Sequence, residues 1–320
     1  MSNQTKIMFD LSDEQWKSFL NEDRHYPVFL DGFFDTVGNE IGKLFDEMKK
    51  DNVSYKTYDI KVDSPLTDKI ECEIYIRPKF AEDPEDERHV ENNIKNYNAF
   101  YNGAEGYENG KLISPSMSVV ICCDAVTYNT NKKLVNAAVS HELVHLYDDW
   151  LHYDLYNTSL DSEKRIEKSG KAITQRQRYS DDNLFGNILF MIYLSSSAEK
   201  KAYTAEVVKD LKYLGCTRYN FNEKVRQTSA WRNYNKTNNY IQNALKTCSD
   251  SELENINNIL KTRYTKCGVP FVEGFFMSFS EYRKKLSIWS EKITKMMNRK
   301  IVNITGYYLD NKFSGGFVVK

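Results

Sequence analysis

Apolar residues recur at helical spacing across 12–50: Trp16, Phe19 and Leu20, then Phe33, Phe34, Val37, Ile41, Leu44, Phe45 and Met48. That spacing predicts helix. Residues 53–61 and 69–78 alternate instead, and Ile70, Cys72, Ile74 and Ile76 fall on one face, as a half-buried strand requires. A third strand is expected over 116–123. Two stretches between these read as surface connections: the acidic AEDPEDER (81–88) and the Asn/Gly/Tyr-rich YNAFYNGAEGYENG (97–110).

Beyond residue 130 the pattern is helical. Thr130 and Asn131 are expected to cap a helix running through Leu134, Val135, Ala138 and Val139 to about Trp150. Further helices are predicted at 183–194, at 198–214 with Ser196 or Ser197 as its cap, and at 236–247, 251–263 and 279–300. WRNYNKTNNY (231–240) reads as a helix connection, and the tail after Lys300, with Tyr307, Tyr308 and Gly315-Gly316, as a terminal strand or an interaction arm. Strands before 124 and helices after 130 make an α+β fold: a small N-terminal mixed sheet with helices, followed by a mainly helical C-terminal part.

Composition narrows the classes. The chain has 320 residues, enough for a real core, and 41% apolar residues, too many for disorder. Lys+Arg 44 against Asp+Glu 45 leaves net charge −1, so no basic excess points to nucleic acid. The basic residues Lys284, Lys285, Lys292, Lys295, Arg299 and Lys300 share a helix with Leu286, Trp289, Ile293, Met296 and Met297, and read as the solvated side of a core-packed helix. The N-terminus has no apolar stretch of signal-peptide length, and the longest apolar run, 188–194, is far short of the roughly 20 residues of a membrane span. A cytoplasmic or virion-associated location is expected. The abundance of Tyr and Asn hints faintly at a viral or low-GC bacterial source. Six cysteines without a C-x-x-C pair read as reduced thiols.

The chemistry lies in Ser140-His141-Glu142-Leu143-Val144-His145, an H-E-x-x-H segment inside a periodic helix. On a helix the two histidines point to the same side, about 6 Å apart along the axis, so both imidazoles reach one Zn²⁺. Glu142 is about 100° around the helix, off-line for ligation and placed to reach a metal-bound water.

A third protein ligand is required. His152 is about 10 Å further along the helix, out of reach. In the longer H-E-x-x-H-x-x-G-x-x-H pattern, Asp148 stands where the Gly would be and Leu151 where the third His would be. Asp148 ligates only if the helix bends. Its expected role is to accept an N–H from a ligand histidine or to cap the helix end. The third ligand is expected from SSSAEKKAYTAEV, where Glu199, Ala202, Tyr203 and Glu206 share a face and the small Ala202 suits close helix packing. Glu199 is the first choice and Glu206 the alternative. Cys122 and Cys123 precede the helix and read as buried strand thiols rather than ligands.

The run VVICCDAVTYNTNKKLVNAAVSHELVHLYDD resembles the zincin metallopeptidases, and more particularly the mitochondrial inner-membrane metallopeptidase family that acts in ATP-synthase assembly. The shared features are a strand ending in cysteine, a short connection, and a helix reading H-E-L-V-H-x-Y-D. The family's later Glu, three residues before an Ala, is matched by Glu199 and Ala202. The resemblance implies a zincin-like fold, one zinc ion held by His141, His145 and Glu199, and Glu142 as catalytic base. The chain departs in the longer segment 151–193, in lacking the family's flanking cysteines there, and in its long helical continuation, so the site chemistry carries over and the mitochondrial role does not.

The expected function is a zinc-dependent metalloendopeptidase, in which a metal-activated water attacks a peptide bond and Glu142 takes the proton. Tyr203, Tyr147 and His152 are candidates for the oxyanion donor. An extended polypeptide substrate is expected to add to strand 117–123 as an exposed edge. The expected division is a catalytic unit at 1–215, with the zinc helix at about 131–150 and the third-ligand helix at about 198–214, and a helical subdomain at 216–320 packed on it. Two other readings stand: a structural or assembly protein, virion components included, that keeps a zincin fold and zinc site, and a zinc hydrolase of non-peptide substrates.

Overall fold

The computed structural model describes residues 31–77, 97–122, 126–155, 183–217, 219–264 and 267–312. The expected helix over 12–30, the acidic run 81–88, Cys123, the connection 156–182 and the tail from 313 lie outside them, as does the side chain of His152.

Helix α1 (Asp31–Lys50) buries Phe34, Val37, Ile41, Leu44, Phe45 and Met48, the stripe set by its 3.6-residue period. Strands β1 (Tyr55–Lys61) and β2 (Lys69–Arg77) follow as an antiparallel pair. Next come β3 (Tyr97–Gly103), a small hairpin of β4 (Gly106–Glu108) and β5 (Lys111–Ile113), and β6 (Ser116–Cys122). The four-stranded sheet has the order β1-β2-β6-β3, with β2 and β6 parallel and β3 antiparallel to β6. One face is apolar: Ile70, Cys72 and Ile74 line up with Met117, Val119, Ile121 and Ala99, all buried. The other face is polar, with Ser118 Oγ donating to Glu73 Oε2 at 3.0 Å.

Two expectations are corrected here. Residues 97–110 are not merely a connection but hold the edge strand β3 and half a hairpin, whose turn at Asn109-Gly110 has positive φ at both residues, as such a two-residue turn demands. Strand 117–123 is not an edge. β6 pairs on both sides, with β2 and β3, so its backbone groups are already used.

Helix α2 (Tyr128–Leu155) lies against β3 and β6, beside α1. It starts ahead of the expected cap, and Asn131 sits in its first turn with the side-chain amide donating to the Cys122 carbonyl at 3.0 Å. Helix α3 (Leu184–Leu194) is capped by Asn183, and α4 (Ser197–Tyr213) by Ser196, whose Oγ accepts the Glu199 N–H. Helices α5 (Ser229–Thr247), α6 (Asp250–Arg263) and α7 (Phe279–Lys312) complete the helical part. WRNYNKTNNY is therefore helix, not connection. Tyr234, Thr237, Ile241 and Leu245 supply its buried stripe while the asparagines face outward or sideways. The first residues after Lys300 are likewise helical.

The helical part shares its core with the sheet part. α5 packs on α3, and α7 on α5 and α4. The buried Asp210 of α4 accepts the Ser229 N–H at 2.7 Å, capping α5 from a distant residue where the Thr228 side chain makes no cap bond. No helix among the described residues is long and apolar enough to cross a membrane.

Candidate metal centre

The centre forms where α4 crosses α2. Ala202 and Ala205 are fully buried on α4, and their small side chains allow the two backbones to approach closely. His141 and His145 project from one side of α2, their ring centroids 5.1 Å apart. Glu199, one turn before Tyr203 on α4, inserts its carboxylate between them. Its Oε2 lies 3.2 Å from His141 Nε2 and its Oε1 3.3 Å from His145 Nε2. All three donor atoms lie within 4.8 Å of one another.

These spacings fit a metal ion. A tetrahedron with bonds of 2.0–2.1 Å has edges of about 3.3 Å, close to both nitrogen–oxygen distances. Glu199 is 3% exposed, and its Oε2 has no hydrogen-bond donor in line among the described residues. Such a buried, unsatisfied carboxylate oxygen is costly unless a cation neutralises it. Charge balance says the same, since Glu142, Glu199 and Glu206 are all within reach of the two imidazoles. Two histidines and one carboxylate form a donor set that suits zinc. Glu142 and His145 keep some contact with solvent, their side chains 15% and 20% exposed, against 4% for Glu199.

Ionisation follows the geometry. Burial lowers the proton affinity of His141, but the contacts with Glu199 and Glu206 and the charges of Glu199 and Glu142 outweigh it and raise its pKa to about 10. His145 is also raised, burial again being overcome, by the charge and contact of Glu199. Glu199 is pulled well below the usual carboxylate range, the two imidazoles prevailing over burial. Glu142 is raised, because burial prevails over the histidine charges and the Tyr101 N–H.

The remaining expected residues divide. Glu206 is 2% exposed and does not join the ligand set; its Oε2 lies 3.3 Å from His141 Nδ1, on the far side of the ring. Asp148 is not next to a ligand histidine nitrogen but pairs with Lys201 Nζ at 3.1 Å. Tyr203 packs edge-on against the His141 ring, centroids 4.6 Å apart, so it buttresses that imidazole. Tyr147 points about 200° around the helix from His145 and stacks on Trp150. Cys122 stays a partly buried free thiol, raised in pKa by burial, outside the cluster.

Two participants carried no motif. Tyr101 of β3 donates its backbone N–H to Glu142 Oε2 at 2.9 Å and its hydroxyl to Asp149 Oδ2 at 2.7 Å. Tyr193, in the last turn of α3, is kept a neutral phenol first of all by burial and then by the negative charges of Glu199 and Glu142. Its ring stacks on Phe190. Its one sequence signal was its place just before the Ser195-Ser196 turn that launches the ligand helix.

A scan of protein-family models found no match to the chain, and searches of curated proteins and of solved structures found none either.

Proposed function

We propose that the protein is a zinc-dependent endopeptidase of the zincin type, with His141, His145 and Glu199 as the metal ligands and Glu142 as general base. One observation carries the reading: a buried carboxylate whose two oxygens are held 3.2 and 3.3 Å from two imidazole nitrogens. When bound, zinc supplies Lewis acidity toward water and a carbonyl oxygen.

The chain's own groups do the rest. Glu142 Oε2 is anchored on the Tyr101 N–H, which leaves Oε1, 4.0 Å from His141 Nε2, turned toward the reaction position. Its raised proton affinity suits a base that takes a proton from water and returns it to the departing amine. Tyr193, a neutral phenol close enough to feel the charges of Glu199 and Glu142, is the donor for the developing oxyanion. An extended polypeptide pairs with the outer edge of β3, which among the described residues has a strand neighbour on one side only.

The test is metal analysis of protein purified without chelator, together with cleavage of an unstructured protein such as casein. About one zinc per chain is expected, with activity lost on chelation and reduced on the order of 10²–10⁴-fold in Glu142→Gln. A Glu142→Gln protein that cleaves at the wild-type rate overturns the mechanism, and a metal-free, inert wild type overturns the assignment.

A further inference from the structure

Helix α4 offers three groups to the centre from one face: Glu199, Tyr203 four residues on, and Glu206 three beyond that. Tyr203 covers the edge of the His141 ring, and Glu206 reaches the nitrogen on the ring's far side. For Nε2 to present a lone pair to a metal, the ring proton must sit on Nδ1. That nitrogen is buried, and no in-line hydrogen bond from the described residues satisfies it. Glu206 Oε2, 3.3 Å away on a side chain 2% exposed, is the acceptor within reach. Asp148, about one turn beyond His145 on α2, is paired with Lys201.

We propose that Glu206 is a positioning residue that accepts the Nδ1–H of His141, fixing the tautomer and ring plane in which Nε2 faces the metal. The proposal rests on the metal-centre reading above.

The experiment measures zinc affinity by competition with a chromophoric chelator for wild type, Glu206→Ala and Glu206→Gln, and the ¹H–¹⁵N resonance of His141 Nδ1–H in metal-free and zinc-loaded protein. The expected loss is 10–100-fold in Glu206→Ala, with Glu206→Gln closer to wild type because its carbonyl oxygen still accepts the bond. The downfield Nδ1–H resonance of wild type should move upfield in both variants. Zinc affinity within twofold of wild type in a folded Glu206→Ala protein overturns the proposal. If Glu206→Ala fails to fold, the near-isosteric Glu206→Gln decides, and an unmoved Nδ1–H resonance overturns it. If wild type binds no zinc, the proposed function falls, while the resonance in metal-free protein still decides the role of Glu206.

Discussion

Glu142 Oε2 accepts a hydrogen bond from the backbone N–H of Tyr101 at 2.9 Å, so the edge strand of the sheet holds the side chain that follows His141. The amide points away from β6, and its loss removes no ladder bond. Tyr101→Pro is therefore expected to leave the fold intact and lower kcat at least about tenfold by freeing the base. Tyr101→Phe, which deletes only the hydroxyl bonded to Asp149, controls for the side chain. Equal rates in Tyr101→Pro and Tyr101→Phe would show that the anchor is catalytically idle.

Tyr193→Phe removes a single hydroxyl that feels the charges of Glu199 and Glu142. If that hydroxyl stabilises the oxyanion, kcat falls on the order of 100-fold with zinc content unchanged. Steady-state kinetics with parallel metal analysis make the measurement. A loss of zinc instead of rate would assign Tyr193 to holding Glu199.

Metal binding should release protons. The folded, metal-free protein holds protons on His141 and His145 more tightly than free histidine, His141 up to about 10. A metal must displace them, so apparent zinc affinity rises with pH from the ordinary histidine range toward about 10 and falls as the solution is acidified. Calorimetry in buffers of different ionisation enthalpy counts the protons. An affinity flat from pH 6 to pH 9 contradicts the electrostatics described here.

Asp210 serves stability rather than chemistry. Its carboxylate takes the Ser229 N–H at the start of α5, and both residues are buried. Asp210→Ala should cost about 1–3 kcal/mol, read as a lower urea midpoint, because it leaves a buried amide without a partner. An unchanged midpoint would mean that another group satisfies Ser229.

Much of the centre was legible in the chain because its cues are local. The histidine spacing needs only a helix, and Ser196 and Ala202 mark how the Glu199 helix starts and how closely it packs. What escaped depends on distant partners. β3 is a strand because β6 pairs with it, whereas its own Asn and Gly residues signal turns. β6 looks like an edge until a parallel neighbour, β2, takes its other side. Asp148 does not reach a histidine because Lys201, two residues beyond Glu199, pairs with it, and Glu206, expected as an alternative to Glu199, lies by His141 Nδ1 instead. In α5, the asparagines of 231–240 masked a stripe led by Tyr234 that is visible only once the helix extends back to Ser229.

Tyr234 gives the C-terminal helices a stake in the centre. Its ring abuts Tyr203 behind His141, and its hydroxyl donates to the Leu194 carbonyl at 2.6 Å, clamping the end of α3 next to Tyr193. A chain cut near residue 215 would thus forfeit the backstop of an imidazole and the tether of a phenol together. Whatever partners those helices engage, pressure on α5 is transmitted to the histidine through just two aromatic rings.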